Sequence, residues 1–439
     1  TPSRTVTILD GIRSKVGDVA YLKACDHVVN QNIVSHFDNI SADGKKGLKA
    51  VYRNDYDMKG DVVATQQLTT PLNFTTAGAT VFAPGVNLEN FSALYTGSFT
   101  PSESGTYLIN MEADDGRQSV TLDGKTVIAC HTEGSIHSYS HSFDAEKGKS
   151  YEIAVAYSHG HGTGKLRFDI GKVCDYDTDP GDAEVVIFVG GISPGLEGEE
   201  MPVTVPGFRG GDRETIELPA IQRELMKSLK ARGKKIVFVN CSCSAVALAP
   251  EDSICDAILQ AWYPGQAGGT AVADVLFGDY NPAGRLPVTF YTGDSQLPDF
   301  ENYDMIGRTY RYMTEKPLYP FGHGLSYSTF AYSDPVVADS HETGATVPFS
   351  VTVTNESDRD GEEVVQLYMR REGDTAGPVK SLCAFRRVSV GAGNSVTVDF
   401  ELEPERFATF DNESGLMKVV PGNYEIFYGG SSDCKSSVA

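Results

Sequence analysis

The chain has 439 residues, 40% hydrophobic and 22% charged, with a net charge of −22. That length suffices for about three domains, and the composition is that of a globular protein. The negative charge excludes a nucleic acid or an anionic membrane as partner, and no apolar run approaches the ~20 residues of a membrane span.

Residues 1–34 read as the first part of an α/β layer: TILDGIRSKVG carries Ile8, Ile12 and Val16 at helical spacing, and DVAYLKA follows as a short predicted strand. One helix and one strand cannot bury a core alone, so this piece must pair with something further along. From 44 to 173 the pattern is all-β. Runs such as SALYTGSFT, GTYLINMEA and YEIAVAYS alternate with the turn signals SESG, LDGK and EKGK, which predicts an inserted β-sandwich or barrel, taken as a sandwich.

From 174 to 332 the α/β pattern returns. EVVIFVG and KKIVFVNCS are apolar strands. PAIQRELMKSLKARG is a helix with Pro219 near its first position, Gly233 as its stop, and Ile221, Leu225, Met226 and Leu229 on its apolar face. SICDAILQAW and GGTAVADVLFG read as helices and RLPVTFY as a strand, giving a layered, largely parallel sheet. Residues 343–439 are all-β again and suit an immunoglobulin-like sandwich. The expected fold class is therefore multidomain α/β plus all-β: an α/β sandwich domain interrupted by a β-sandwich, then an immunoglobulin-like sandwich.

The segment EVVIFVGGISPGLEGEEMPVTVPGFRGGDRETIELP concentrates the chemistry. An apolar strand ends in two glycines, and a loop carrying Glu197, Glu199 and Glu200 follows. Open α/β sheets place ligands beyond the carboxyl ends of their strands. Crowded carboxylates in a cleft push one pKa upward, which a proton donor at neutral pH needs. The competing reading is a solvated acidic loop.

Other motifs read more plainly. GISPG resembles a nucleophile elbow at Ser193, but the prolines and glycines that follow make a loop where that elbow needs a helix, so a strand-end turn is expected. GHGTGK at 160–165 sits in the all-β region and lacks the phosphate-loop spacing. His131, His137, His141, His159 and His161 are read as strand and turn residues rather than metal ligands. Asp114-Asp115-Gly116 is read as a hairpin turn, with a calcium or sugar ligand as the alternative. Trp262, the only tryptophan, either packs in the core or lines a sugar site. The eight cysteines are irregularly spaced and read mostly as small buried residues, an isolated disulfide staying open.

Taken together, the loop GGISPGLEGEEM with GFRGGDRETIELP, the stretch VNCSCSAVAL with AWYPGQAGGTAVADVLFGDYNPAGRLPVTFY, the exit GRTYRYMTEKPLYPFGHGLSYSTF, and VTVTNESDRDGEEVVQLYMR with VPGNYEIFYGG resemble the C-terminal half of glycoside hydrolase family 3. The last of these is similar to that family's fibronectin type III-like domain. GLKAVYRND, FSALYTGSFTPSESGTYLINMEADDG and VTLDGKTVI resemble a protective-antigen (PA) type domain inserted into the sandwich domain.

The resemblance implies a retaining, exo-acting β-glucosidase or β-xylosidase on plant-wall oligosaccharides, needing no metal or organic cofactor. It matches the family's acid/base glutamate to Glu197, with Glu199 as the rival, and makes Asp212 and Arg213 the braces of the loop. The family's nucleophilic aspartate belongs to an N-terminal (β/α)8 barrel that these residues do not include. The barrel is thus expected as a separate chain or a missing segment, and this chain alone should hydrolyse nothing measurable. The resemblance also implies a periplasmic or extracellular setting, although no signal peptide opens the residues in hand; a homodimer is left open. Two other classes remain: a non-catalytic carbohydrate-binding or scaffold protein, and a serine hydrolase that would use Ser193 with His323 or His341.

Overall fold

The computed structural model describes residues 4–30, 32–114, 116–132, 137–201, 203–434 and 436–438. Two compact units emerge: Asn30–Asp177, and Thr1–Val29 with Thr178–Ala439.

The unit Asn30–Asp177 holds two antiparallel sheets. One is built on Lys165–Cys174, Gly105–Asp114 and His137–Ala145, and the other on Gly116–Leu122, Tyr151–His159 and Phe91–Phe99. Alternation along Ala93–Phe99 and Tyr151–Tyr157 turns one face of each strand inward, while Phe91–Ala93 and Tyr157–His159 are buried throughout. Tyr52, Tyr95, Tyr107, Tyr157, Phe37, Phe91, Phe99 and Phe168 fill the interior with almost no exposure. Asn32–Ser35 pairs with Lys165–Cys174, so residues 30–34 belong to this unit and not to the α/β piece. The strands either side of residue 115 lie in different sheets and form no hairpin; Asp115 itself lies outside the described residues.

In the other unit, Val185–Gly190, Lys235–Asn240 and Ala257–Gln260 form a parallel three-stranded sheet. The helix Ala220–Ala231 covers it through Leu225, Met226 and Leu229. Pro219 stands one place before that helix as its cap, and Gly233 ends it at φ +78°. The opening residues join this layer: the helix Ile8–Lys15 crosses Gly268–Leu276 so closely that a Cβ on Gly11 would lie 2.0 Å from the Gly269 carbonyl.

Three expected elements differ. DVAYLKA is irregular, because no strand of the parallel sheet pairs with it, and Tyr21 and Leu22 stay exposed. SICDAILQAW is not one helix. Ala249–Ile254 stops at Cys255, and Ala257–Gln260 becomes the third parallel strand, because the open edge of Lys235–Asn240 offers a full hydrogen-bond ladder. RLPVTFY makes only the single bridge Phe290–Tyr319, Pro287 having no N–H to give a ladder.

The last part is a sandwich of a three-stranded sheet (Phe330–Tyr332, Val347–Asn355, Ser395–Leu402) and a four-stranded one (Ser381–Val390, Gly361–Arg371, Tyr424–Gly429, Ser436–Val438). Phe349, Val351, Val353, Val365, Leu367 and Phe400 lie in its core. Phe330–Tyr332 pairs with Val353–Asn355, so the sandwich recruits an edge strand from before residue 343.

Candidate functional site

The three parallel strands each deliver one wall of a small cluster from beyond their carboxyl ends, where the open sheet leaves a crevice. After Val185–Gly190 the chain turns sharply at Gly191 (φ +125°), whose N–H donates to Gln222 Oε1. The following loop brings in Glu197. After Lys235–Asn240 come Cys243 and Ser244, and after Ala257–Gln260 comes Tyr263.

These meet at one carboxylate. Arg213 Nε lies 3.1 Å from Glu197 Oε1, with the two side chains 19% and 14% exposed. Ser244 Oγ donates to Oε1 at 3.4 Å and Tyr263 OH to Oε2 at 3.1 Å, while Cys243 Sγ stands 4.0 Å from Oε2. Burial first, then the Glu197 carboxylate and Cys243, push the Tyr263 hydroxyl well above the usual phenol range. Tyr263 therefore keeps its proton and acts as a donor.

Of the three glutamates only Glu197 is drawn out of solvent; Glu199 and Glu200 are exposed. Its close neighbours are donors rather than the other two carboxylates. Asp212 and Arg213 form a two-residue strand against Phe208–Arg209, and the next helix begins at Ala220. Arg213 reaches Glu197. Asp212 is exposed and makes no side-chain bond to the loop among the described residues. Tyr263, Ser244 and Cys243 were not singled out as site residues from the sequence. The only available signal was that VNCSCS and AWYPG also follow apolar segments.

The loop is held by backbone contact. Met201 N donates to Gly210 O, and Gly210 N to Val203 O. Gly211, at φ +90°, packs so tightly that a Cβ would lie 1.7 Å from the Gly198 carbonyl. Gly211→Ala is expected to push the loop off Arg213 and lower kcat/KM up to about 100-fold in the assembled protein, since a misplacement near 1 Å costs on that order. Steady-state kinetics beside a thermal melt checks this; an unchanged kcat/KM in a folded variant would refute it.

Beside the cluster lies a cavity of about 710 Å³, whose lining includes Cys243, Ser244, Trp262, Val288, Tyr291 and Tyr310. Trp262 both lines it and packs edge-on against Phe290 at 6.3 Å.

The remaining motifs do not converge. Ser193 Oγ accepts from Gly195 N in a turn, with no helix following and no imidazole bonded to it among the described residues. His323 stacks on Tyr319 at 5.1 Å, and His341 lies in a loop. Lys165 pairs with Glu112. His137 and His141 are half-buried, His159 is buried and His161 is exposed, while the His131 side chain lies outside the described residues. Among the described residues no group of three or more His, Cys, Asp or Glu is placed to hold a metal. The eight cysteines are free thiols. Among the described residues no helix is long and apolar enough to cross a membrane.

Residues 1–327 match the glycosyl hydrolase family 3 C-terminal domain, and residues 363–432 match a fibronectin type III-like domain. The chain is 46% identical over 440 residues to a xylan 1,4-beta-xylosidase of Xylanibacter ruminicola, covering 98% of this chain and 51% of that protein. It is 37% identical over 261 residues to a periplasmic beta-glucosidase of Salmonella typhimurium, covering 56% of this chain and 33% of that one. A crystal structure of beta-glucosidase from Kluyveromyces marxianus superposes at a TM-score of 0.67 and 25% identity, covering 98% of this chain and 55% of the other. The chain thus spans about half the length of the xylosidase it matches.

Proposed function

The chain belongs to glycosyl hydrolase family 3, and we propose that it is the acid/base half of a retaining, exo-acting β-xylosidase. The observation that carries this reading is Glu197, withdrawn from solvent at the carboxyl end of the parallel sheet between Arg213 and Tyr263. The 46% identity to a xylan 1,4-beta-xylosidase supports the pentose substrate.

In this reading an aspartate on a (β/α)8 barrel attacks the anomeric carbon. Glu197 protonates the departing glycosidic oxygen, then takes a proton from the water that resolves the glycosyl-enzyme. Arg213, Tyr263 and Ser244 steer the carboxylate, and Glu199 and Asp212 stay outside the chemistry. No cofactor enters. The inserted unit Asn30–Asp177 is assigned to the protective-antigen type, and the periplasmic relative supports a periplasmic setting.

A β-glucosidase is the second reading, favoured by the 37% identity to the periplasmic beta-glucosidase. The two substrates differ by one hydroxymethyl group, and a pocket reads such a difference by roughly 10–200-fold. The test compares kcat/KM on nitrophenyl β-xyloside and β-glucoside with the barrel present, and repeats the assay on this chain alone. A preference for xyloside of about tenfold or more, with no turnover by the chain alone, is expected. Faster glucoside turnover would transfer the assignment to the second reading. No activity even with the barrel would favour a non-catalytic carbohydrate-binding protein.

A further inference from the structure

The parallel ladder ends at one level: Gly190 stands opposite Asn240, and Asn240 opposite Gln260. One residue on, Cys241 N still donates to Gly190 O and Ala261 N to Asn240 O. Past that point the joining passes to side chains. Each of the three segments then runs on to a member of the cluster: Ile192 leads to Glu197, Ser242 to Ser244, and Gln260 to Tyr263.

Ser242 Oγ accepts from Ile192 N at 3.1 Å and donates to Asn240 Oδ1 at 2.8 Å. Asn240 Nδ2 donates to Gln260 Oε1 at 2.7 Å, and Gln260 Nε2 returns to Ser242 O at 3.2 Å. The bonds thus close a ring on the residue where they began. Because the Ser242 hydroxyl hydrogen points to Asn240, a lone pair is left facing the Ile192 N–H. Behind the turn, Gln222 of the helix Ala220–Ala231 grips both backbone groups of Gly191. Its Oε1 takes the N–H and its Nε2 gives to the carbonyl, each at 2.8 Å, and Nε2 also reaches His27 O at 2.8 Å.

Gln222, Asn240 and Ser242 are buried. Buried amides and hydroxyls are costly unless paired, and a β-ladder needs none of them to end. The two glycines belong to the same arrangement. A Cβ on Gly190 would lie 2.5 Å from Gln222 Oε1, and one on Gly191 would lie 2.6 Å from the Cys241 carbonyl and 2.8 Å from Ser242 Oγ.

We infer that Gln222, Asn240, Ser242 and Gln260 are positioning residues of the reaction: a buried hydrogen-bonded ring and its clamp that set the height of the Glu197 loop against the segments carrying Ser244 and Tyr263. A satisfied polar network rigidifies what it joins, and a proton donor works only within hydrogen-bond reach of the oxygen it protonates. The inference rests on the acid/base reading of Glu197. A shifted acid costs rate in proportion to how much the leaving group needs the proton, which gives the ring a signature that lost stability does not share.

The test measures kcat/KM, with the barrel present, on phenyl β-xyloside, whose leaving group needs a proton, and on the dinitrophenyl xyloside, whose leaving group departs without one. Ser242→Ala removes the acceptor of the Ile192 N–H; it should lower kcat/KM about tenfold or more on the phenyl substrate and stay within about threefold on the other. Gln260→Met, at a half-buried position, opens the ring but leaves the Ile192 bond, and should show the same selective loss at about threefold. Leu402→Ala, in the core of the last sandwich, is the control for stability alone and should affect both substrates alike. Thermal melts accompany each variant, and should Ser242→Ala not fold, Gln260→Met decides. A folded ring variant that loses equally on the two substrates, or on neither, overturns the proposal. Glu197→Gln keeps the two readings apart. A selective loss there beside an equal loss in the ring variants removes the positioning role alone, whereas an equal loss in Glu197→Gln itself overturns the acid/base assignment and the proposal with it.

Discussion

Glu197→Gln, assayed with the barrel half present, is expected to lower kcat on xylobiose by about 10²–10⁴, the range a positioned general acid/base supplies. The amide is nearly isosteric, and its single carbonyl oxygen can still accept from either Tyr263 or Ser244, which meet different oxygens of the carboxylate. What it loses is the proton it would give and the charge that pairs with Arg213. A dinitrophenyl xyloside separates the two halves of the cycle, because its leaving group departs without a proton. Its first turnover should be nearly normal and its later ones slow, since no base remains to activate water. Added azide is anionic and needs no base, so it should restore turnover and yield the β-configured xylosyl azide. Glu199→Gln, at an exposed position, should stay within about twofold of the parent. If Glu199→Gln fell as far as Glu197→Gln, or azide rescued only the former, the acid/base assignment would pass to Glu199.

Glu197 was legible because a strand end, two glycines and, six positions on, a carboxylate fall in one short stretch of sequence and obey one topological rule. Its partners were not, because they arrive from two other strand ends: Ser244 lies 47 residues away and Tyr263 lies 66. The same rule would have found Tyr263 had AILQ been recognised as a strand. Its short apolar run, continuous with Ile254, fits a helix equally well, and only the free edge of Lys235–Asn240 decides the matter. RLPVTFY fails for a local reason, the proline, that the sequence displays openly. The Arg213 contact was anticipated only through family resemblance, as no spacing rule links it to position 197. The β-sandwich of Asn30–Asp177 was clear in outline because period-two alternation is strong there. Which strands fall in which sheet was not, because strand pairing depends on contacts far apart in sequence.

The largest expected loss of stability is at Glu363→Ala. Arg285 Nη2 lies 2.8 Å from Glu363 Oε2, with the side chains 8% and 5% exposed, and Tyr332 OH donates to the other carboxylate oxygen at 3.0 Å. Burial first, then Glu363, push the Tyr332 hydroxyl far above its ordinary range, so it remains a donor. Arg285 Nε is already buried without a partner, and Arg285 lies two residues before the cavity wall that starts at Pro287. Removing the carboxylate leaves the guanidinium charged and unpaired, which costs about 3–5 kcal/mol. The double variant Arg285→Met with Glu363→Leu should cost much less, because a buried pair replaced by apolar groups is often close to neutral. His323 sharpens the pH dependence. Burial, then the Arg285 charge, hold its pKa below the ordinary value near 6.5. As pH falls through that value the unfolded chain takes up the proton first, so stability declines toward acid. Glu363→Ala exposes His323 to a less neutralised Arg285 and should steepen the decline. Urea transitions followed by Trp262 emission at pH 7.5 and pH 5.5 test both points. A single variant no less stable than the double one would show that the pair is not what holds the fibronectin-like sandwich to the wall of the site.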